Sequence, residues 1–179
     1  VPVEPSSVVR YFEGELEPES DPLVRAVHTL LSHADGKRAL KVRTIMNLLG
    51  PCLNPAHPKV QLLGVADPKL LRPIAETLRA LGVERALVVH GSGLDEIALH
   101  GFTNAVSLAD GELEELEITP EQAGLDRMPK QQIAGGSPQE NAQRLSGILS
   151  GCGRPADIAV VALNAGALLM TAGKVAHLK

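Results

Sequence analysis

The sequence predicts an α/β fold in which a mainly parallel sheet, with one β-hairpin, is flanked by helices. The first observation is a strand–helix–strand unit: residues 60–66 and 86–89 are apolar runs, and residues 67–81 between them carry an amphipathic helical stripe. Such a unit places its two strands parallel in one sheet. The second observation is Asp110-Gly111 between two segments of alternating hydrophobicity, which is typical of a hairpin turn.

The remaining elements are predicted from caps, turns and apolar spacing. Ser137, Pro138 and Glu140 have the pattern of a capping box with proline at the first helical position. Asn164 lies in a long, nearly uncharged stretch that predicts a buried helix, or one that begins as a strand, and we expect its amide to bond a neighbouring backbone group. The predicted helices cover residues 21–34, 37–49, 67–81, 138–150 and 157–172, and the hairpin strands cover residues 104–108 and 113–118.

Composition narrows the functional classes. The chain has 179 residues, of which 44% are apolar and 21% charged, as expected of a globular protein with a buried core. A net charge of −4, one tyrosine, two phenylalanines and no tryptophan argue against a nucleic-acid partner. The two cysteines form no C-x-x-C pair, which suits a reduced, cytoplasmic protein. No apolar stretch approaches the length of a membrane span, so we expect no membrane segment.

The chain is expected to have two parts. Residues 1–36 are predicted to be an unassigned arm, rich in proline and glutamate, followed by a short helix. Residues 37–179 are predicted to form the α/β domain.

The strongest candidate site follows the apolar run that ends at Val89. Gly91 and Gly93 let the chain turn sharply and approach a ligand, and Asp95 and Glu96 follow directly. Two adjacent carboxylates at a strand end can hold Mg²⁺, especially Mg²⁺ that is also bound to substrate phosphates. They can equally cap the first turn of a following helix, and the spacing alone leaves both interpretations open.

A second candidate site is a basic cluster that includes Lys37 and Arg38. Four cations fall within residues 37–43, and such a group can meet a carboxylate or a phosphate. The alternative is a solvated basic helix face.

Five blocks of the sequence resemble anthranilate phosphoribosyltransferases in order and spacing. They are K-V-R-T-I-M-N-L-L-G-P-C-L-N-P (41–55), V-V-H-G-S-G-L-D-E-I (88–97), I-T-P-E-Q-A-G-L (118–125), G-G-S-P-Q-E-N-A (135–142) and L-N-A-G-A-L-L-M-T-A-G-K (163–174). The resemblance covers residues 37–179. It implies a phosphoribosyltransferase or nucleoside phosphorylase-like α/β domain that is truncated to its C-terminal part.

The resemblance implies an enzyme of tryptophan biosynthesis that transfers phosphoribose from phosphoribosyl pyrophosphate to the amine of anthranilate. It makes Asp95 and Glu96 the magnesium ligands. It also places Lys37, with Arg38 beside it, where the family has an arginine that helps to hold anthranilate. A lysine lacks the forked geometry of that arginine. Members of the family are typically dimers, so a homodimer is a possible assembly.

The family's glycine-rich G-T-G-G-D phosphate loop and its K-H-G-N segment do not occur in the sequence. The chain is therefore expected to be a fragment, a divergent form or a rearranged protein. The alternative function is a non-catalytic binding or scaffold relative without the phosphate loop. A related phosphorylase that acts on pyrimidine nucleosides would share the fold, but the quoted blocks fit the anthranilate enzymes better.

Overall fold

The computed structural model describes residues 56–178 as a continuous run, together with Glu17, Arg25, Cys52 and Asn54. Four strands in this part form one sheet in the order β1-β2-β3-β4. The strands are β1 (Val60–Gly64), β2 (Arg85–His90), β3 (Thr103–Ala109) and β4 (Glu112–Ile118). The helices are α1 (Leu71–Ala80), α2 (Lys130–Ile133), α3 (Pro138–Leu149) and α4 (Pro155–Thr171). Single 3-10 turns cover Pro68–Leu70 and Pro120–Ala123.

The predicted strand–helix–strand unit is confirmed. Strands β1 and β2 are parallel neighbours, with Val60 opposite Arg85 and Gly64 opposite Val89. The side chain of Asp67 accepts a hydrogen bond from the Lys69 amide and so starts the turn that leads into α1.

The expectation of a mainly parallel sheet is wrong for the described strands. One of the three strand pairs is parallel, whereas β3 runs antiparallel to both β2 and β4. The reason lies in the connection after β2, because residues 91–102 form no helix. A parallel neighbour needs a crossover connection, usually a helix, so the chain returns antiparallel instead. The α/β class itself is confirmed, since helices flank the mixed sheet.

The predicted hairpin is confirmed between β3 and β4. Its turn residues Asp110 and Gly111 have φ angles of 51° and 80°, as a two-residue hairpin turn of the favoured hand requires. The four glutamates of β4 are exposed, as expected of solvent-facing charges on a strand at the edge of the described sheet.

Helices α1 and α4 bury the two faces of the sheet. Ile74 and Leu78 of α1 pack with Val88 of β2, and the alternate β2 residue Leu87 packs in a second cluster with Leu163 of α4. Strand β2 is therefore buried on both sides, which explains its continuous apolar sequence.

The C-terminal helices agree with their sequence patterns in part. Both hydrogen bonds of the capping box at the start of α3 are present: the Ser137 side chain accepts from the Glu140 amide, and the Glu140 side chain accepts from the Ser137 amide. The expectation that α4 is a buried helix holds only for the face toward the sheet. Its other face exposes large apolar side chains, namely Ile158, Val161, Leu168 and Leu169. No helix of the described residues is long and apolar enough to cross a membrane.

The predicted helices over residues 21–34 and 37–49 lie outside the described residues, except for Arg25, which is helical.

Candidate metal and phosphate site

The candidate site is built on the carboxylate loop, residues 91–102, which connects the end of β2 to β3. The loop folds back over the ends of the two parallel strands so closely that side chains are excluded. A Cβ added to Gly64, the last residue of β1, would lie 1.6 Å from the backbone oxygen of Asp95. One added to Gly91 would lie 2.1 Å from the backbone oxygen of Glu96. The backbone of the acidic pair therefore packs directly on two glycines.

Asp95 and Glu96 are both solvent-exposed at the carboxyl ends of β1 and β2. Residues 92–96 form bends, and the next regular element is strand β3. The alternative interpretation, in which the two acids cap a following helix, is therefore wrong. The structure instead places both carboxylates where open α/β sheets bind their ligands.

Buried groups fix the loop directly after the acidic pair. Ile97, Ala98 and Leu99 are fully buried. Asn164 of α4 accepts a hydrogen bond from the Ile97 amide at 2.9 Å and donates one to the Ile97 carbonyl oxygen at 3.2 Å. The Thr103 hydroxyl oxygen accepts a bond from the Ala98 amide at 2.9 Å. The expectation that Asn164 bonds a backbone group is confirmed, and its role is to hold the segment that follows Glu96.

A buried histidine holds the first part of the loop. His90 Nε2 accepts a hydrogen bond from the Gly93 amide at 3.2 Å. Its Nδ1 therefore carries the proton and donates to the Val65 carbonyl oxygen at 2.8 Å. This single ring joins the chain after β1 to the glycine turn before Asp95. Sequence reasoning missed this role, although a histidine directly before a glycine turn at a strand end was a usable signal.

A second histidine lies behind the same turn. His100 Nε2 lies 3.1 Å from the Ser92 carbonyl oxygen, which can only accept, so Nε2 donates. His100 Nδ1 is buried and has no hydrogen-bond partner in the described part of the chain. Ser92 and Gly93 have φ angles of 49° and 89°, and the Ser92 hydroxyl donates to the Phe102 carbonyl oxygen at 2.7 Å. The turn at Ser92 is therefore held by two hydrogen bonds, one from the His100 ring to its carbonyl oxygen and one from its own hydroxyl to Phe102.

The acidic pair is electrostatically coupled. Partial burial raises the pKa of the Glu96 carboxyl, and the negative charge of Asp95 raises it further. A carboxylate whose ionisation is disfavoured by burial and by an adjacent negative charge is stabilised by a nearby cation.

The residues present fit magnesium. Among residues 56–178, no group of three or more histidine, cysteine, aspartate or glutamate side chains is placed to hold a metal ion. A site with only two carboxylates suits Mg²⁺, which keeps several waters and takes further oxygen ligands from substrate phosphates. The exposure of Asp95 and Glu96 leaves room for both.

The structure also brings a cation to this loop that sequence reasoning missed. Lys130, at the start of α2, has its Nζ atom 3.9 Å from the position that a Cβ on Gly93 would occupy. The predicted anion-binding residues Lys37 and Arg38 lie outside the described residues, so their interpretation stays a prediction.

Comparison with known proteins shows the family. The family described as "Glycosyl transferase family, a/b domain" matches residues 25–179, which is most of the chain. The chain belongs to this family. The α/β fold class agrees with that membership.

Individual relatives confirm the resemblance to anthranilate phosphoribosyltransferases. The anthranilate phosphoribosyltransferase of Aeromonas salmonicida is 52% identical over 143 residues, which are 80% of this chain and 42% of the relative. The crystal structure of the Thermus thermophilus enzyme matches with a TM-score of 0.70 at 36% identity, over 98% of this chain and 58% of that one.

A Saccharomyces cerevisiae anthranilate phosphoribosyltransferase in complex with phosphoribosyl pyrophosphate (PRPP) and Mg matches with a TM-score of 0.63 at 25% identity. The match covers 74% of this chain and 42% of that chain. The chain thus spans about half the length of the proteins that it matches.

Proposed function

We propose that the chain carries the magnesium- and pyrophosphate-binding part of an anthranilate phosphoribosyltransferase. The reaction would transfer phosphoribose from phosphoribosyl pyrophosphate (PRPP) to the amine of anthranilate, in cytoplasmic tryptophan biosynthesis. The observation that carries the proposal is the pair Asp95–Glu96, exposed at the carboxyl ends of two parallel strands on a loop without helix. The yeast enzyme in complex with PRPP and Mg supports this choice of ligand.

In this proposal Asp95 and Glu96 hold Mg²⁺ against the pyrophosphate group. When bound, Mg²⁺ would neutralise part of the negative charge that develops on the departing pyrophosphate. The chain's own contribution is position: Gly64 and Gly91 let the backbone of the acids lie against the strand ends. Asn164 and His90 hold the segments on either side of the pair. The carboxylates are therefore presented without rearrangement of the loop.

The acceptor side of the proposed site involves Lys37 and Arg38, which we propose bind the carboxylate of anthranilate. Homodimer assembly is likewise a proposal, to be tested by sedimentation velocity of the chain at several concentrations.

The experiment is calorimetric titration of the chain with PRPP, with and without Mg²⁺. We expect magnesium-dependent binding that the double variant Asp95→Asn/Glu96→Gln abolishes while the far-UV circular dichroism spectrum is unchanged. The matched control is Glu114→Gln/Glu115→Gln, an adjacent exposed pair on β4, which should bind like the unmodified chain. Magnesium dependence that survives in the Asp95/Glu96 variant would remove these residues from the site.

The pH dependence of binding gives an independent readout. Mg²⁺ needs the ionised form of Glu96, and the pKa of that carboxyl is raised by partial burial and by Asp95. As the pH falls, the affinity for PRPP with Mg²⁺ should therefore begin to decline at a higher pH than it would if Glu96 had the pKa of an ordinary glutamate. Anthranilate turnover is then measured in the same samples.

A binding or scaffold role without catalysis is the second candidate. It is favoured by one observation, namely that the G-T-G-G-D phosphate-loop motif does not occur in the sequence. Binding of PRPP without any turnover of anthranilate would support this candidate.

A further inference from the structure

The segment that carries Lys130 lies across the carboxylate loop. We call residues 128–134 the bridging segment. The Met128 amide donates a hydrogen bond to the Leu99 carbonyl oxygen at 3.0 Å. Met128 and Ile133 also pack against the core cluster that contains Ile97 and Leu99. The start of α2 is therefore fixed to the loop through backbone and apolar contacts that do not involve the side chain of Lys130.

Two arginines fasten the other end of the bridging segment. Arg154 donates to the Gln132 carbonyl oxygen at 2.7 Å, and Arg144 donates to the Ala134 carbonyl oxygen at 2.6 Å. Both guanidinium groups also bind the carboxylate of Asp157 through two hydrogen bonds each. Asp157 is 3% exposed, so this ion triad is anchored in α4. The C-terminal end of the bridging segment is therefore held by two arginines that pair with a buried carboxylate.

The ammonium group of Lys130 faces the loop and has no charge partner there. Its Nζ atom lies 3.9 Å from the place of a Cβ on Gly93, two residues before Asp95. Among the residues that the structure describes, no carboxylate lies within ion-pair distance of this Nζ atom. A cation thus lies beside the turn that leads into the acidic pair and forms no ion pair with a described carboxylate. Gly93 has no side chain, which leaves the space between the ammonium and the turn open.

We propose that Lys130 is a substrate-binding residue whose ammonium group contacts an anionic oxygen of the pyrophosphate that Asp95 and Glu96 hold through Mg²⁺. The proposal rests on the proposed function for the identity of the ligand. A lysine ammonium is a compact point charge that suits phosphate oxygens, and an ion held on one side by a metal still exposes charged oxygens on the other. The contact would also stabilise the charge that grows on the pyrophosphate as it departs.

The test compares Lys130→Ala and Lys130→Arg with the control Lys174→Ala. Lys174 is an exposed lysine directly after Gly173, and a Cβ on Gly173 would lie 3.9 Å from the guanidinium of Arg85 at the start of β2, away from the carboxylate loop. Inorganic pyrophosphate with Mg²⁺ and ribose 5-phosphate are titrated separately by calorimetry, because they carry the two phosphate ends of PRPP apart. We expect Lys130→Ala to weaken pyrophosphate binding about tenfold, as typical for loss of a charged hydrogen bond. Lys130→Arg should retain most of the affinity, and Lys174→Ala should retain all of it.

Each outcome decides between the proposals. Equal affinity of Lys130→Ala and the unmodified chain for pyrophosphate would overturn the role of Lys130 and leave the proposed function standing. A loss confined to ribose 5-phosphate would overturn the assignment to pyrophosphate. A loss with Lys130→Ala, together with no loss in the Asp95/Glu96 variant, would overturn the metal site and leave Lys130 as an anion contact. No binding of either probe by the unmodified chain would overturn both proposals.

Discussion

Replacing Gly64 by alanine should displace the carboxylate loop from the end of strand β1. The added Cβ would lie 1.6 Å from the Asp95 carbonyl oxygen and 2.3 Å from its carbonyl carbon. These are backbone atoms, so no side-chain rotation relieves the clash. The two chain segments must separate by more than about 1 Å before the contact is tolerable. We expect the free energy of unfolding to fall by about 3 kcal/mol, the upper end of the range for overpacking.

The matched control is Gly166→Ala in the middle of α4. There the nearest atom to an added Cβ is the Leu178 carbonyl oxygen at 4.0 Å, so the same chemical change meets no obstacle. Because alanine favours a helix interior over glycine, the control should gain up to about 1 kcal/mol. The same change from glycine to alanine is thus expected to destabilise the chain at position 64 and to stabilise it at position 166.

The assay is urea unfolding at about 25 °C followed by far-UV circular dichroism, because the chain has no tryptophan for fluorescence. Calorimetric titration with magnesium pyrophosphate then reports the position of the acidic pair, and we expect Gly64→Ala to bind at least tenfold more weakly. An unfolding midpoint and a pyrophosphate affinity equal to those of the unmodified chain would refute the argument that Gly64 sets the position of Asp95.

Two further predictions concern the supports of the site. Asn164→Ala should cost about 2–4 kcal/mol of stability because it leaves the amide and carbonyl of the fully buried Ile97 unpaired. The control Gln143→Ala, on the exposed face of α3, should change the free energy of unfolding by less than about 0.5 kcal/mol. Equal free energies of unfolding for the two variants in urea titrations would contradict the role of Asn164 in holding Ile97. Asp157→Asn should lower the free energy of unfolding by about 1.5–3 kcal/mol at neutral pH, because it removes the charge that pairs with the partly exposed guanidinium groups of Arg144 and Arg154. Hydrogen bonds from Arg144 and Arg154 hold the pKa of Asp157 well below its usual range. The stabilisation is therefore fully present above the unfolded-state pKa of about 3.9 and is lost as the pH falls toward the folded-state value. The difference between the two proteins in unfolding experiments should then be constant from about pH 5 to 8 and shrink below about pH 4; a difference unchanged at about pH 2 would speak against this ion triad.

Local sequence patterns sufficed for the elements that depend on neighbours along the chain. The parallel pair β1 and β2 could be predicted because apolar runs and an amphipathic stripe are read within one short segment. The Asp110-Gly111 turn and the Ser137 cap could be predicted because each uses a backbone geometry that few residue types favour. The same locality identified Asp95 and Glu96, since they directly follow a strand.

The prediction of a mainly parallel sheet was wrong because the direction of β3 depends on whether a crossover helix follows β2. Residues 91–102 carry no periodicity that indicates which connection forms. The same segment was compatible with a helix cap until the structure showed bends at residues 92–96.

Tertiary structure alone decided what surrounds the acidic pair. Asn164 meets Ile97 across 67 positions of sequence. Lys130 reaches Gly93 because the bridging segment is held at one end by Met128 and at the other by Arg144 and Arg154. No local sequence pattern predicts either contact, because each joins residues that are distant in the chain and meet only when the helices pack on the sheet. The sequence by itself determined which residues end the central strands and carry the carboxylates. The packing of α4 and the bridging segment over the loop determined which groups hold the segments beside those carboxylates and which cation lies at the glycine turn before them.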